Sequence, residues 1–250
     1  MDAQDFYDDL ADDYAALHGD WPDWARREAE MLDKLIRGEL GDSPQVVLDC
    51  SCGIGTQAIG LALRGHDVLA TDLSPASIER ARREAASLEA ALTFGVADFT
   101  RLPEQVDGTF ACVLSCGNSV AHLHSDEDLA GFAAGVAAKL RPGGLAIVSP
   151  RDYELLWAER TRGQPALVGP GTISFQIWDW DDDGRSYELA QFTLRGSGES
   201  WQTTCRRTRL RALRRDELCG GLEAAGLDDV RWRTPDETGY YQPIVTARRL

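Results

Sequence analysis

Val46-Val47-Leu48-Asp49-Cys50-Ser51-Cys52-Gly53-Ile54-Gly55-Thr56 decides the fold of this 250-residue chain. An apolar strand ends in an acid, and a Gly-x-Gly turn then opens a helix carrying Ile59, Leu61 and Leu63. Glycines at such a turn let the backbone approach a ligand closely, and the helix start offers unpaired N–H groups. Nineteen residues after Gly53, a second apolar strand, Asp67-Val68-Leu69-Ala70-Thr71, delivers Asp72. A carboxylate there can accept both hydroxyls of a ribose. The two signals together point to a cofactor built on a nucleoside.

Working outward, apolar periodicity predicts strands at 46–50, 67–71, 92–96, 110–116 and 144–149, with helices at 56–63, 75–88 and 126–140 between them. Ser74-Pro75 starts one helix, and Arg141-Pro142-Gly143-Gly144 stops another. This alternation implies an α/β fold, a parallel sheet with helices on both faces and a ligand site at the carboxyl ends of the strands. Before it, Phe6, Tyr7, Leu10, Tyr14 and Leu17 give residues 1–18 an amphipathic helical pattern, and a second helix follows Pro22. After Pro150 the period changes to two: 172–180, 187–195 and a segment near 201–210 read as antiparallel strands, with Asp181-Asp182-Asp183-Gly184 as a turn. A helix from Arg214 and strands at 229–233 and 243–248 return to the core. The expected organisation is an N-terminal helical cap (1–40), a core (41–150 and 211–250) and an inserted β subdomain (151–210) that covers the cofactor site.

The net charge of −15 opposes a nucleic-acid partner and favours cationic ligands. No basic-apolar leader opens the chain and no apolar run of about 18 residues occurs, which predicts a soluble, cytoplasmic protein without a membrane partner. Cys50, Cys52, Cys112, Cys116, Cys205 and Cys219 follow no paired Cys-x-x-Cys spacing, so reduced thiols and no metal are expected.

The details of the turn choose among nucleosides. A pyrophosphate would lie poorly beside Asp49, whereas an acid before the turn suits a cofactor with a cationic end. Asp49-x-x-x-Gly53-x-Gly55 resembles the first motif of class I S-adenosylmethionine-dependent methyltransferases, with Ser51 where most members have a glycine. The resemblance implies a Rossmann-like, seven-stranded, mostly parallel sheet with an antiparallel last strand and S-adenosylmethionine as cofactor. Ala97-Asp98-Phe99 resembles the family's third motif, in which the acid accepts from the adenine amino group; the other reading of Asp98 is a turn cap. Leu73 would pack on the adenine face.

Gly117-Asn118-Ser119-Val120-Ala121-His122-Leu123, followed by Arg151-Asp152-Tyr153, is similar to glycine N-methyltransferase and the bacterial glycine/sarcosine N-methyltransferases. Phe175-Gln176-Ile177-Trp178-Asp179-Trp180 and Gly239-Tyr240-Tyr241-Gln242-Pro243 extend the similarity over nearly the whole chain. Carried over, the candidate catalytic residues are Arg151, binding an amino-acid carboxylate, and Asn118, aiming the amine. The expected cofactor contacts are Tyr14, Asp49, Ser51, Gly53, Gly55, Thr56, Asp72, Leu73, Asp98, Phe99, Ser115 and His122. Tyr7, Trp178, Phe192 and Tyr241 join Asn118 and Arg151 as expected substrate contacts. Phe192 falls where the glycine enzymes place a tyrosine, so a hydroxyl is expected to be missing there. A bland reading of Arg151 is an ion pair with Asp152 or Glu154, and of Trp178, Trp180 and Trp201, packing of the insertion. His18 and His124 receive no role. The implied acceptor is a small amine or amino acid; the rival is an O, C or aromatic N acceptor. An oxidoreductase would need a phosphate-friendly turn, and a non-catalytic sensor would bind the cofactor without turnover. Oligomeric state is left open, as is whether the N-terminal helix is a lid or an assembly surface.

Overall fold

A computed structural model describes residues 2–17 and 20–250; His18 lies outside them. Eleven strands are present among the described residues: β1 (Val46–Asp49), β2 (Asp67–Asp72), β3 (Thr93–Val96), β4 (Phe110–Ser115), β5 (Leu140–Val148), β6 (Gly163–Gly169), β7 (Thr172–Trp180), β8 (Ser186–Ser197), β9 (Ser200–Arg211), β10 (Asp228–Arg233) and β11 (Ile244–Arg248). The main sheet has the order β10-β11-β5-β4-β1-β2-β3. Strand β11 runs antiparallel to both neighbours, and the five strands β1–β5 are mutually parallel. The chain order reverses between β1 and β4, which is where open α/β sheets bind ligands.

The helices are α1 (Ala3–Leu10), α2 (Trp21–Leu40), α3 (Thr56–Leu63), α4 (Pro75–Ser87), α5 (Leu102–Gln105), α6 (Asp126–Lys139), α7 (Tyr153–Ala158), α8 (Arg215–Ala224) and α9 (Pro235–Thr238). Alternate strand residues enter opposite cores. Leu48, Val113, Ala146 and Val245 meet Phe132 and Val136 of α6 and Leu218 and Leu222 of α8. Val47, Cys112, Leu114 and Ile147 meet Leu32 and Ile36 of α2 and Ala58 and Leu61 of α3. Both sheet faces are therefore dry, which is why these strands read as continuous apolar runs. Helix α3 lies so close to α2 that a Cβ at Gly60 would sit 2.3 Å from Ala29 Cβ.

Strands β6–β9 form a separate antiparallel sheet. The sequence predicted three of these strands; β6 is the fourth, an edge strand holding Pro165. The expected helix over 1–18 is interrupted: α1 stops at Leu10 and a 3₁₀ turn occupies Tyr14–Leu17. The acids in the break are spent on tertiary contacts. Asp12 pairs with Arg83 at 3.0 Å on α4, and Asp13 pairs with Arg195 and Arg206 of the insertion sheet. Helix α1 thus straps the core to the insertion. Cys50, Cys52, Cys112 and Cys116 are buried free thiols, Cys219 is half-buried and Cys205 is exposed.

Candidate active site

The turn after β1 and the end of β2 form one hydrogen-bonded unit. Gly53 N–H donates to Asp72 Oδ2 at 2.8 Å, and Ser74 N–H donates to Asp72 Oδ1 at 2.9 Å. Cys52 N–H donates to the Thr71 carbonyl at 2.9 Å. Gly53 and Gly55 have φ of 53° and 92°, left-handed values that side-chain-bearing residues rarely adopt. At Gly55 a Cβ would also meet Ile59 Cδ1 at 2.6 Å, whereas at Gly53 it would enter open space within the site. Asp8 of α1 accepts from Ser74 Oγ at 2.5 Å and Ala76 N–H at 3.1 Å, so the strap is pinned beside Asp72.

A cleft enclosing about 800 Å³, mouth included, opens over these strand ends. Of the expected cofactor contacts, Tyr14, Ser51, Gly53, Thr56, Asp72, Leu73, Phe99 and His122 line it, as do the expected substrate contacts Tyr7 and Tyr241. Trp24, Gln57, Cys116 and Gly117 line it as well. Trp24 comes from α2, and its ring lies 5.0 Å from that of Tyr241.

Four expected cofactor contacts stand behind this lining. Asp49 is fully buried and accepts from Ser51 N–H at 3.3 Å. Ser115 is buried, its hydroxyl 2.8 Å from that of Ser51. Gly55 forms the N-cap of α3. Asp98 caps a turn, its Oδ1 accepting from Thr100 N–H at 2.9 Å and Thr100 Oγ1 at 2.7 Å, while its neighbours Ala97 and Phe99 face the cleft.

Burial pushes the Asp49 carboxyl up to about 8 against the opposing effect of the Ser51 N–H, and Asp72 raises it further. Asp72 is itself raised, first by desolvation, although backbone N–H donors work in the other direction. Asp49 Oδ2 has no hydrogen-bond partner among the described residues, and none of those lining the cleft is Lys or Arg. An acidic cleft with glycines against open space and aromatic walls fits a sulfonium nucleoside and disfavours a pyrophosphate.

A second chamber, about 460 Å³, adjoins the cleft and shares Tyr7, Tyr14, Gly117 and His122 with it. Asn118 and Arg151 line it together with Gln176, Gln191, Leu189 and Leu210 of the insertion sheet. Gly117 and Asn118 turn sharply, with φ of 73° and 70°. The Asn118 amide is committed to the protein: Oδ1 accepts from Arg151 N–H at 2.9 Å, and Nδ2 donates to Tyr153 Oη at 2.9 Å. Asn118 is therefore a brace for Arg151 as well as a residue lining the chamber.

Arg151 does not pair with Asp152 or Glu154. Its Nη1 donates to Tyr187 Oη at 2.8 Å and its Nη2 to Gln176 Oε1 at 3.3 Å. The guanidinium lies 4.6 Å from the Trp178 ring centroid, and the buried Nε has no hydrogen-bond partner among the described residues. Trp178 supports the cation from behind instead of lining the chamber. Phe192 is also corrected. Period-two alternation turns Tyr187, Leu189 and Gln191 inward, so Phe192 faces the other way and stacks on Phe175 at 4.9 Å. Tyr187, on the inward face, gives its hydroxyl to Arg151 and is not among the residues that line the chamber. Trp201 is 42% exposed at the hairpin tip, and Trp180 packs against Trp157 and Tyr187.

His122 bonds Tyr7 Oη through Nε2 at 3.1 Å. Its pKa is lowered to about 4, chiefly by desolvation, with His124 and Arg151 adding to it, so the ring is neutral at pH 7. Tyr14 is pushed up to about 12 by burial and by Asp72. Among the described residues, no group of three or more His, Cys, Asp or Glu is arranged to hold a metal, and no helix is long and apolar enough to cross a membrane.

Strand order, glycine turn and acidic cleft define a class I S-adenosylmethionine-dependent methyltransferase, and the chain belongs to that family. A family model described as a methyltransferase domain matches residues 47–144. The glycine/sarcosine N-methyltransferase of Parasynechococcus marenigrum is 31% identical over 205 residues, which cover 77% of this chain and 71% of that enzyme. Among solved structures, the CcbJ methyltransferase of Streptomyces caelestis superposes with a TM-score of 0.80 at 18% identity, covering 100% of this chain and 99% of its own. CalS10, an amino pentose methyltransferase of Micromonospora echinaspora, gives 0.73 at 21% identity, covering 95% and 94%.

Proposed function

We propose that the chain transfers the cofactor's methyl group to the nitrogen of a small amine that carries a carboxylate, an amino acid of the kind for which its glycine/sarcosine relatives are named. The observation that carries this reading is Arg151. A partly buried guanidinium held by a tyrosine hydroxyl, a glutamine carbonyl and an indole face has no counter-ion among the described residues, and none of these three partners carries charge. Leaving such a cation unpaired is costly, and a carboxylate with two parallel acceptor oxygens is its best complement.

S-adenosylmethionine supplies an electrophilic methyl carried on a sulfonium. Asp72 keeps lone pairs beyond those used by Gly53 and Ser74, and these would take the ribose hydroxyls. Ala97, Phe99 and Leu73 would frame the base, and Gly53 and Thr56 would border the amino-acid end. Asn118 holds the Arg151 backbone, Arg151 holds the substrate carboxylate, and Gly117 leaves the approach to the cleft open. Alignment of this kind is worth up to roughly 7–11 kcal/mol. A neutral amine is already nucleophilic, so rates should rise from neutral towards alkaline pH as the substrate loses its proton.

The test is methyl transfer from labelled S-adenosylmethionine to glycine, sarcosine, dimethylglycine and amines without a carboxylate. Transfer confined to carboxylate-bearing primary and secondary amines, and lost in Arg151→Ala, supports the reading. Transfer to oxygen or carbon acceptors that Arg151→Ala barely alters would overturn it.

A further inference from the structure

The chamber beyond Arg151 contains a polar group that anchoring a carboxylate does not use. Gln191 is 0% exposed and lines the chamber from β8. Its Nε2 donates to Ser174 Oγ at 2.9 Å and to the carbonyls of Phe175 at 3.2 Å and Phe192 at 3.0 Å. Two carbonyl oxygens can face only the NH₂ end of the amide, so its orientation is fixed. What Gln191 then offers is Oε1, which has no hydrogen-bond partner among the described residues. A buried acceptor without a donor carries the full cost of its desolvation.

Register locates this acceptor. Gln191 pairs directly with Gln176 across β7 and β8, and Gln176 Oε1 accepts from Arg151 Nη2. Gln191 therefore lies one cross-strand step beyond the guanidinium. Phe6, Leu10, Leu189 and Leu210 line the same chamber with apolar surface. A two-carbon amino acid held at Arg151 has no side chain to set against this wall and no second donor for Oε1.

We propose that Gln191 is a specificity-determining residue, and that the acceptor is an amino acid larger than glycine whose side chain presents an N–H or O–H to Gln191 Oε1. This rests on the reading of Arg151 as a carboxylate anchor. A site built around a buried hydrogen-bonding group discriminates strongly against the analogue that lacks the partner.

Kinetics on matched pairs test it: L-serine with L-alanine, L-homoserine with L-2-aminobutyrate, and L-tyrosine with L-phenylalanine. In the pair whose length suits the chamber, kcat/KM for the hydroxyl member should exceed that of its partner by about ten- to hundredfold. Both should exceed glycine. In Gln191→Met the ratio within that pair should collapse to within a few-fold of one. Equal members in every pair, glycine or sarcosine outperforming all of them, or a ratio that survives in Gln191→Met would overturn the proposal while leaving an Arg151-dependent reaction intact. Methylation only of amines without a carboxylate would overturn it together with the reading on which it rests. Because Gln191 also ties strands β7 and β8, the wild-type pairs decide the matter even where the variant fails to fold.

Discussion

The cofactor cleft and the substrate chamber share four residues but are built by opposite means. The cleft is made at the ends of four parallel strands, β1 to β4, where tight turns hold backbone N–H groups and one carboxylate, Asp72, in place. Its charge is acidic and lacks a lining cation among the described residues. The chamber is closed by side chains from paired antiparallel strands, and its charge is one guanidinium without a counter-ion among the described residues. An acidic half beside a basic half suits a cationic donor meeting an anionic substrate. Each half leaves its own charge for a ligand to neutralise.

The sharpest way to break this comparison is to remove the basic half. Arg151→Ala should lower kcat/KM for a carboxylate-bearing amine by about 10²–10³-fold, the range expected when one member of a desolvated ion pair is lost. Cofactor affinity, measured by calorimetry, should stay within a few-fold. The converse variant, Asp72→Ala, should weaken cofactor binding by about ten- to hundredfold, because it removes both ribose acceptors and the clasp on Gly53. If Arg151→Ala weakened the cofactor as much as Asp72→Ala, the two halves would not be separate sites.

Asn118 lies where the halves meet, and its effect should be smaller. Asn118→Ala deletes the acceptor for Arg151 N–H and the donor to Tyr153 Oη. It also puts alanine at a φ of 70°, so part of the loss is backbone strain. A roughly tenfold fall in kcat/KM is expected, carried mainly by KM as Arg151 loses its brace. Asn118→Gly relieves the strain without restoring the amide. A kcat defect with unchanged KM in Asn118→Gly would instead mean that the amide touches the reacting amine.

The same contrast explains what was legible in the sequence. The cleft depends on local spacing: Asp49 to Gly55, Asp72 nineteen residues beyond Gly53, and Ser74-Pro75 starting α4. All of these read directly, because neighbours in the chain are neighbours in the turn. The chamber depends on which face of a strand turns inward, and a one-residue difference exchanges the faces. Alternation alone therefore does not say that Phe192 faces away from the chamber, that Gln191 lines it or that Tyr187 is buried against Arg151. Asp98 is ambiguous for another reason, since an acid after a strand can bind a base or cap a turn, and the cap that Oδ1 makes at Thr100 does not exclude the first role. The break in the N-terminal helix was invisible because Asp12 and Asp13 find their arginines far along the chain.

The smallest expected effect probes whether acidity in the cleft half is held at a cost. Asp49 has a folded-state pKa of about 8, raised first by burial, against an unfolded value of about 3.9. Between those values the native protein holds a proton that the unfolded chain releases, so stability falls as pH rises through the window. The whole penalty is present above pH 8 and absent below about pH 4. Asparagine in place of Asp49 keeps an acceptor for Ser51 N–H and cannot ionise. The Tm advantage of Asp49→Asn without cofactor should therefore be small at pH 5 and reach several degrees at pH 8, at about 2–4 °C per kcal/mol for a chain of this size. S-adenosylmethionine should narrow that advantage at pH 8 more than S-adenosylhomocysteine does, because the sulfonium offsets the buried carboxylate and the neutral thioether does not. An advantage independent of pH, or equal narrowing by both compounds, would mean that the cleft selects its ligand by shape and not by charge.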